Sequence, residues 1–362
     1  MRILHSESSK GWGGQENRTL NELIGMRACG HQMAVVCQPG ARLSERAREA
    51  GFNVFEVPMR GALDLAAIAR LRRIITIFSA DVLNTHSSRD TQLAGMAARL
   101  LGRDRPRIVR TRHLALPITS RFTYSVLPDH VVAVSCHVAR YLASAGVPTE
   151  GITAVPTGID LDRYRATPDG GGLRRELGLP ENTLLVGTIA ILRQKKGHAD
   201  LLAAIPAVLA RFPATHFVFA GDGPQQDSLA ARIAELGLGH RVHLLGLRRD
   251  VVNVLQSLDL FVLPTHQEAL GTAFIEAAAM GLPAIGTQVD GVPEVILDGE
   301  TGLLVPPRDS MALAQALLEL LGDPERRMAM GRAALEHVGR RYSRDVMAAG
   351  MAALYRRLGA AG

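Results

Sequence analysis

The sequence predicts an α/β protein with two domains, each built around a parallel β-sheet. Short apolar runs of strand length alternate with amphipathic segments of helix length, and this alternation restarts near the middle of the chain. Such alternation is typical of βαβ units, in which helices cover a sheet of parallel strands. The length of 362 residues also exceeds the size at which one hydrophobic core keeps growing. Two Rossmann-like sheets in series are therefore expected.

The apolar runs give an expected position for each strand. In the first half the strands are expected at residues 2–5, 33–37, 53–57, 82–85, 107–111, 131–134 and 152–155, with helices such as 64–78 and 91–101 between them. In the second half they are expected at residues 184–189, 216–220, 242–245, 260–263, 283–286 and 302–305, with helices at 198–212, 225–236 and 311–321. The amphipathic tail, residues 343–358, predicts one more helix.

A turn-rich connection between residues 156 and 182 is the expected boundary between the domains. It includes the run Thr-Pro-Asp-Gly-Gly-Gly at residues 167–172, and such clusters interrupt regular structure. The predicted domains cover residues 1–165 and 166–342. Ligands of open α/β sheets bind beyond the carboxyl ends of the strands, so functional residues are expected in the loops that follow strands. Two such domains facing each other would form an interdomain cleft.

The composition argues against several classes of protein. Hydrophobic residues make up 47% of the chain and charged residues 21%, which are ordinary values for a globular protein. The first residues turn polar after four positions, unlike a secretory signal, and no apolar run approaches the ~20 residues of a membrane span. The three cysteines lack the even number and the spacing of a disulfide framework or a zinc site. These features favour a cytoplasmic protein.

The positive charge is concentrated in the first half of the chain. Residues 1–165 contain 22 Lys and Arg against 14 Asp and Glu, whereas the remainder contains 19 against 21. A phosphate-bearing acceptor, an anionic membrane surface and nucleic acid are the candidate partners. A generally arginine-rich composition explains the pattern equally well. The aromatic content of 4% disfavours nucleic acid, whereas Arg70, Arg72 and Arg73 beside apolar residues suggest a helix at a membrane surface.

The most informative stretch is PTHQEALGTAFIEAAAMGLPAIGTQVDGVPE, residues 264–294. It follows an apolar strand and opens a helix, where the first backbone N–H groups form an anion site. Glu268 precedes this helix and Glu276 lies within it, about two turns further on. Carboxylates suit sugar and ribose hydroxyls because they accept charge-assisted hydrogen bonds. We expect these two carboxylates and the segment Ala269, Leu270, Gly271 and Thr272 to contact a bound ligand.

This stretch resembles the donor-binding signature of retaining GT-B glycosyltransferases, specifically glycosyltransferase family 4. Further segments resemble the family in the family's order, so that the resemblance covers nearly the whole chain. They are Gly13-Gly14-Gln15-Glu16, Thr111-Arg112-His113, Pro156-Thr157-Gly158-Ile159-Asp160, Lys196-Gly197-His198, Ala220-Gly221-Asp222-Gly223-Pro224 and Gly299-Glu300-Thr301-Gly302-Leu303-Leu304-Val305. The resemblance implies a GT-B fold of two Rossmann-like domains, with the last segment, residues 343–362, crossing back to the first domain.

Phosphate contacts are expected at two places. Gly13 and Gly14 follow the first strand, where a backbone without side chains can approach a diphosphate closely. They do not match the dinucleotide fingerprint, because the spacing of the glycines differs and the second strand lacks the following acidic residue. Lys196, at the start of a helix, is placed to neutralise a leaving diphosphate. Family members often have an arginine five residues earlier, but Ile191 stands there and Arg193 is the candidate replacement.

His113 follows the fifth predicted strand, and a histidine at this place in the family lies near the reacting carbon of the donor sugar. A hydrogen bond to the sugar is its expected role, with His5, His86 and His266 as lesser candidates at other strand ends. Asp160 and Asp162 have the spacing of a metal-binding Asp-x-Asp pair. Their position in a turn favours a structural role, so no metal or other cofactor is expected.

The resemblance implies transfer of a sugar, with retention at the anomeric carbon, from a nucleoside diphosphate sugar to an acceptor. A bacterial lipopolysaccharide, glycolipid or polysaccharide intermediate is the expected acceptor, at the inner face of the cytoplasmic membrane. His113, Glu268 and Lys196 are the predicted catalytic residues, and no carboxylate needs to act as nucleophile. A sugar-nucleotide epimerase, a phosphorylase and a non-catalytic nucleotide-sugar-binding subunit remain alternatives at this stage.

Overall fold

The computed structural model describes residues 1–114, 116–118, 120–167 and 170–360. The chain forms two compact units, Met1–Ile159 with Arg341–Gly362, and Asp160–Arg340. The domain limits expected from the sequence, at residues 165/166 and 342/343, lie a few residues from these. Residues 168 and 169 of the expected turn run, and the last two residues of the segment 343–362, lie outside the described residues.

The first unit contains a seven-stranded parallel sheet with the strand order β3-β2-β1-β4-β5-β6-β7. The strand Val82–Thr85 is fully buried and Gln32–Cys37 is buried except at its first residue, because helices cover a parallel sheet on both faces. The strands are β1 (Arg2–Glu7), β2 (Gln32–Cys37), β3 (Asn53–Glu56), β4 (Val82–Thr85), β5 (Arg107–Arg112), β6 (His130–Ala133) and β7 (Ile152–Ala154). All seven overlap the strands expected from the sequence.

Some helices of the first unit begin after a side chain that accepts a hydrogen bond from an amide of the first turn. Asp64 accepts a hydrogen bond from the amide of Ala67 at 3.0 Å, and Ser135 accepts one from Val138 at 3.1 Å. The helices are α1 (Gly14–Ala28), α2 (Arg42–Glu49), α3 (Leu65–Phe78), α4 (Ser88–Arg99), α5 (Cys136–Ser144) and α14 (Arg344–Arg357). The C-terminal helix α14 packs against α1, and the predicted return of the last helix to the first unit is therefore observed.

The contact between these two helices depends on a small residue. A Cβ atom at Gly25 of α1 would lie only 3.0 Å from side-chain atoms of Ala348 and Arg344 of α14. The helix start is also secured, since the Ser343 hydroxyl accepts a hydrogen bond from Val346 at 3.1 Å. The closeness of α1 and α14 thus fixes the C-terminal helix on the first sheet.

The second unit contains a six-stranded parallel sheet with the order β10-β9-β8-β11-β12-β13. Its strands are β8 (Leu185–Ile189), β9 (His216–Ala220), β10 (Val242–Gly246), β11 (Leu260–Leu263), β12 (Ala284–Thr287) and β13 (Gly302–Val305). Its helices are α6 (Leu173–Glu176), α7 (His198–Arg211), α8 (Gln226–Glu235), α9 (Val251–Gln256), α10 (Thr272–Ala279), α11 (Val292–Val295), α12 (Ser310–Gly322) and α13 (Pro324–Arg341). The predicted fold class, two Rossmann-like α/β domains, is confirmed.

The two sheets share a topology that locates their functional edges. In each, the strand order reverses beside the first strand, between β1 and β4 in the first unit and between β8 and β11 in the second. Open α/β sheets bind ligands at the carboxyl ends of the strands beside this switch point. The loops that follow β1, β4, β8 and β11 are therefore the places where site residues belong.

Candidate functional site

The switch point of the second unit brings Lys196 close to the loop that follows β11. The carbonyl of Lys195 accepts hydrogen bonds from the Thr265 hydroxyl at 3.0 Å and from the His266 amide at 2.7 Å. The next turn residue, Gly197, has φ of 70°, and a Cβ there would lie 1.8 Å from the carbonyl oxygen of Pro264. Backbone contact between the two loops thus positions the lysine.

Lys196 and Glu268 form an ion pair at this switch point. The Lys196 Nζ lies 2.5 Å from the Glu268 Oε2, with side-chain exposures of 15% and 19%. The backbone of Glu268 is held on both sides, because its amide donates to Asp290 at 2.9 Å and its carbonyl accepts from Gly291 at 3.0 Å. A partly desolvated ammonium and carboxylate are therefore presented together on a rigid loop.

The segment between the two glutamates forms the start of α10. Leu270 is buried, and Gly271 is the residue before the helix, with φ of 98°. A side chain at this position would be strained, and a Cβ would lie 2.7 Å from the Phe274 ring. The first amides of any helix lack intrahelical acceptors, so those of Thr272 and Ala273 are available to an anion. The helix start predicted from the sequence is observed here.

Glu276 lies within α10 and is partly buried beside Tyr164. Burial raises the pKa of the Glu276 carboxyl, and the hydrogen bond from the Tyr164 hydroxyl opposes that shift. Tyr164 ends the helical turn Leu161–Tyr164, which packs against α10. Sequence reasoning missed this tyrosine, because the two residues are distant in the chain and no motif connects them.

Arg193 and Ile191 precede Lys196 in the loop after β8. The turn Gln194–Lys196 begins after Arg193, whose carbonyl accepts a hydrogen bond from the Lys196 amide at 2.9 Å. The side chains of both Arg193 and Ile191 are exposed. The turn therefore brings the backbones of Arg193 and Lys196 together, while a phosphate contact from Arg193 remains a prediction.

In the first unit, Gly13 and Gly14 lie at the start of α1. The Gly13 amide donates to the Glu16 carboxylate at 2.8 Å, and helix α1 begins at Gly14. Both glycines are exposed, Gly13 has an extended backbone, and a Cβ at Gly14 would meet no atom within 4 Å. The fold itself therefore does not require glycine at residue 14.

The loop that carries these glycines is fixed by Glu7, which sequence reasoning also missed. The Glu7 carboxyl accepts hydrogen bonds from the Ser9 amide at 2.8 Å and from the Gln15 side chain at 2.6 Å. Burial, followed by the nearby carboxyl of Asp90, raises the pKa of Glu7 to about 8. The buried Glu7 carboxyl thus connects the end of β1 to the first turn of α1.

His113 follows β5 and is largely buried, with 8% of its surface exposed. Its Nε2 lies 3.0 Å from Nδ1 of His86, the residue after β4. Burial lowers the pKa of His113 well below its ordinary value, and the positive charge of Arg18 adds to this effect. The imidazole is therefore neutral near pH 7. His266, another of the histidines considered from the sequence, instead contacts Asp200 at 2.6 Å.

Two further features of the described residues bear on metal binding and on membrane crossing. Within the described residues, no cluster of three or more His, Cys, Asp or Glu side chains has an arrangement that could hold a metal ion. The lack of a metal requirement remains a prediction. Among the helices of the described ranges, none combines the length and the apolar character that a membrane crossing needs.

Comparison with known proteins identifies the family. The model of Glycosyltransferase Family 4 matches residues 12–163, and that of Glycosyl transferases group 1 matches residues 172–337. A GDP-mannose-dependent alpha-(1-6)-phosphatidylinositol monomannoside mannosyltransferase of Mycobacterium tuberculosis is 30% identical over 360 residues, covering 92% of this chain and 91% of the relative. The chain belongs to glycosyltransferase family 4. The family assignment predicted from the sequence is thereby confirmed.

Another relative is similar in sequence, and two solved structures are similar in fold. The N-acetyl-alpha-D-glucosaminyl L-malate synthase of Bacillus anthracis is 29% identical over 297 residues, which cover 79% of this chain and 76% of the relative. Anabaena Alr3699/HepE in complex with UDP superimposes with a TM-score of 0.87 at 21% identity, over 99% of this chain and 100% of that one. A Rickettsia africae glycosyltransferase gives 0.88 at 20% identity, over 98% of each chain.

These similarities establish the class of the protein. It is a glycosyltransferase of family 4 with the GT-B fold, as the sequence predicted. Two nucleotide sugars occur in the names of the similar proteins: the mycobacterial relative is named as GDP-mannose-dependent, and one HepE structure is a complex with UDP-glucose. The roles of individual residues are not given by these matches and rest on the geometry described above.

Proposed function

We propose that this family 4 enzyme transfers a sugar from a nucleoside diphosphate sugar to a lipid-linked or glycan acceptor, with retention at the anomeric carbon. The observation that carries the proposal is the pair of Lys196 and Glu268 at the switch point of the second unit, beside the open amides at the start of α10. A cation and helix amides suit a diphosphate, whereas a carboxylate suits sugar hydroxyls. This combination supports a nucleotide-sugar donor.

The diphosphate, the sugar and the ribose of the donor would each bind residues of matching chemistry. Lys196 and the amides of Thr272 and its neighbours bind the diphosphate, and the lysine stabilises the negative charge that develops on the leaving group. Glu268, released from its contact with Lys196 when phosphate takes the ammonium, accepts hydrogen bonds from the sugar. Glu276 accepts them from the ribose hydroxyls, replacing the hydroxyl of Tyr164.

The first unit would contribute a neutral histidine and an exposed loop. His113 forms a hydrogen bond with the donor sugar, and the lowered pKa keeps its imidazole uncharged. Gly13 and Gly14 offer backbone amides to phosphate oxygens at the start of α1. Retention follows from attack on the face that the leaving phosphate occupies, with that phosphate taking the acceptor proton. No protein carboxylate acts as nucleophile in this reaction.

A phosphate-bearing lipid is the acceptor that the charge distribution favours. Residues 1–165 carry an excess of eight positive charges, and Arg70, Arg72 and Arg73 lie exposed on α3. The mycobacterial relative is named for a phosphatidylinositol monomannoside acceptor. An anionic membrane at the cytoplasmic face supplies such acceptors and attracts basic surfaces.

The test combines donor binding with turnover. Thermal-shift measurements with UDP-, GDP-, ADP- and CDP-sugars identify the donor, and release of nucleoside diphosphate is then followed with and without phosphoinositide acceptors in vesicles. We expect one nucleotide to raise the melting temperature and acceptor to stimulate release, with the anomeric configuration of the product read by NMR. Stabilisation by none of the nucleotides would contradict the donor site, and release independent of acceptor would favour a hydrolase or an epimerase.

A further inference from the structure

Three histidines form a continuous line of hydrogen bonds at the switch point of the first unit. His113 Nε2 lies 3.0 Å from His86 Nδ1, and His86 Nε2 lies 2.9 Å from His5 Nδ1. The rings of His5 and His86 are stacked with centroids 5.1 Å apart. These residues come from β1 and from the loops after β4 and β5, three neighbouring strands. All three are at most 8% exposed.

The inner end of this line faces a carboxylate. The remaining nitrogen of His5, Nε2, lies 3.6 Å from Oε1 of Glu22 on α1, and both side chains are fully buried. The same oxygen accepts hydrogen bonds from the Tyr355 hydroxyl at 2.9 Å and from the Asn84 amide at 3.2 Å. Two donors directed at Oε1 show that Glu22 acts as an acceptor. Glu22, His5, His86 and His113 are called the histidine relay below.

The Glu22 carboxylate at one end of the histidine relay determines which nitrogen of each ring carries the proton. A neutral imidazole has one N–H donor and one acceptor nitrogen, so the proton position in one ring dictates it in the next. An acceptor oxygen beside His5 Nε2 favours a proton on that nitrogen, which leaves Nδ1 to accept from His86 Nε2–H. His86 Nδ1 then accepts from His113 Nε2–H. The last atom, His113 Nδ1, keeps its lone pair.

We propose that the histidine relay holds the proton of His113 on Nε2 and so presents Nδ1 as a hydrogen-bond acceptor to a hydroxyl of the bound substrate. His5, His86 and Glu22 are positioning residues in this reading, since they act through His113. The inference deepens the proposed function and rests on it for the identity of the hydroxyl. The position of the proton itself is a property of the resting protein and does not depend on turnover.

The surroundings favour neutral rings, which the relay requires. Burial lowers the pKa of His5, His86 and His113, and positive charge from Arg18 lowers each further. The negative charge of Glu22 opposes this only at His5. A charged imidazole would have two N–H groups and would break the sequence of donors and acceptors. The charged groups that face the rings are Arg18 and Glu22 from α1, and Arg110 and Arg112 from β5.

The opposite arrangement, with the proton of each ring on Nδ1, conflicts with the same geometry. It would place a proton on His5 Nδ1 and leave the Nε2 lone pair opposite the Glu22 oxygen, with two acceptors facing each other in a dry interior. It would also place a proton on His113 Nδ1, making this nitrogen a donor. The two arrangements thus predict opposite hydrogen-bonding character for His113 Nδ1.

Nitrogen NMR of the full chain labelled with ¹⁵N-histidine tests the proposal directly. The chemical shift and the two-bond proton couplings of each ring distinguish Nε2–H from Nδ1–H, and single substitutions of histidine assign the signals. We expect the Nε2–H form for His5, His86 and His113 near pH 7. A proton on Nδ1 of His113, or a charged ring at this pH, overturns the proposal whether or not the protein transfers sugar.

A kinetic comparison tests the consequence for turnover. Glu22→Gln conserves the size of the side chain but offers an amide N–H to His5, which permits the opposite arrangement. We expect the proton of His113 to move toward Nδ1 and kcat to fall by about 10-fold, with little change in the KM for the donor. The matched control is His130→Gln, because His130 is buried in the same sheet but contacts Thr153 outside the relay.

The outcomes separate a positioning role from a structural one. Equal losses of kcat in Glu22→Gln and His130→Gln would show that the relay residues have only a structural role, and this result would contradict the proposal. An unchanged kcat together with an unchanged NMR spectrum in Glu22→Gln would also overturn it. If Glu22→Gln fails to fold, the spectrum of the unsubstituted protein still decides the proton position. Loss of all activity in every preparation, with the expected spectrum, would count against the proposed function alone.

Discussion

Replacing Gly14 by alanine distinguishes the effect of this residue on stability from its effect on donor binding and turnover. Gly14 is the first residue of α1, it is exposed, and an added Cβ would meet no atom within 4 Å. Its backbone does not have a positive φ, so alanine fits without strain. The substitution removes flexibility from the unfolded chain, and we expect stability to stay equal or to rise by up to about 0.5–1 kcal/mol.

The expected effect on turnover has the opposite sign. If the amides of Gly13 and Gly14 approach phosphate oxygens, a methyl group of Gly14→Ala occupies space that the diphosphate needs. A displacement of about 1 Å in a reacting group costs on the order of 10- to 100-fold in rate, or roughly 1.4–2.7 kcal/mol of transition-state stabilisation. The loss should appear in kcat/KM for the donor.

Gly339→Ala provides the matched control. Gly339 lies in helix α13, is exposed, and also has no atom within 4 Å of an added Cβ. Both variants are measured by thermal unfolding and by acceptor-dependent release of nucleoside diphosphate. We expect both to be at least as stable as the parent and only Gly14→Ala to lose activity. Full activity in Gly14→Ala would refute the phosphate contact at this loop, and equal loss in both variants would point to a non-specific effect.

Three other substitutions test the remaining site residues. Lys196→Met keeps an unbranched side chain that is one atom shorter but removes the charge next to Glu268, and we expect kcat/KM for the donor to fall by at least about 100-fold in steady-state assays. Tyr164→Phe removes the hydrogen bond that lowers the pKa of Glu276, so the acidic limb of the pH profile of donor kcat/KM should move to higher pH. The pKa of Glu7 is about 8 in the folded protein against an ordinary value of 4.5, so the folded state binds this proton more tightly than the unfolded state does. The free energy of unfolding should therefore fall as the pH rises from about 4.5 to about 8. Glu7→Gln should remove this loss, which amounts to at most about 1.4 kcal/mol per pH unit, and urea unfolding at pH 5 and pH 8 measures it.

The regular elements could be predicted from the sequence because their signals are local. Each strand of the two sheets is a short apolar run bounded by polar or glycine-rich residues, and the buried interior of a parallel sheet requires such runs. Lys196 and Glu268 could be predicted as candidate site residues for a related reason, since each lies in the connection that follows a predicted strand. Their separation by 72 residues is closed by the adjacency of β8 and β11, which only the strand order of the folded sheet shows.

Contacts between distant residues could not be predicted in the same way. The pairing of Glu276 with Tyr164 depends on how the turn Leu161–Tyr164 packs on α10, and no periodic pattern encodes that packing. The link between His5 and His86 spans 81 residues and requires the strand order β1-β4-β5, which a list of strands does not contain. Both histidines were noted at strand ends, but their alignment is a property of the sheet.

The two switch points present different chemical groups although their topologies are similar. That of the second unit presents the charges of Lys196 and Glu268 beside open helix amides, a combination that suits a charged diphosphate and its sugar. That of the first unit presents His113, whose charge is suppressed by burial and by Arg18. A protonated imidazole would donate two hydrogen bonds and would favour an anionic ligand. A neutral His113 can instead pair with a hydroxyl group without adding positive charge to the first unit.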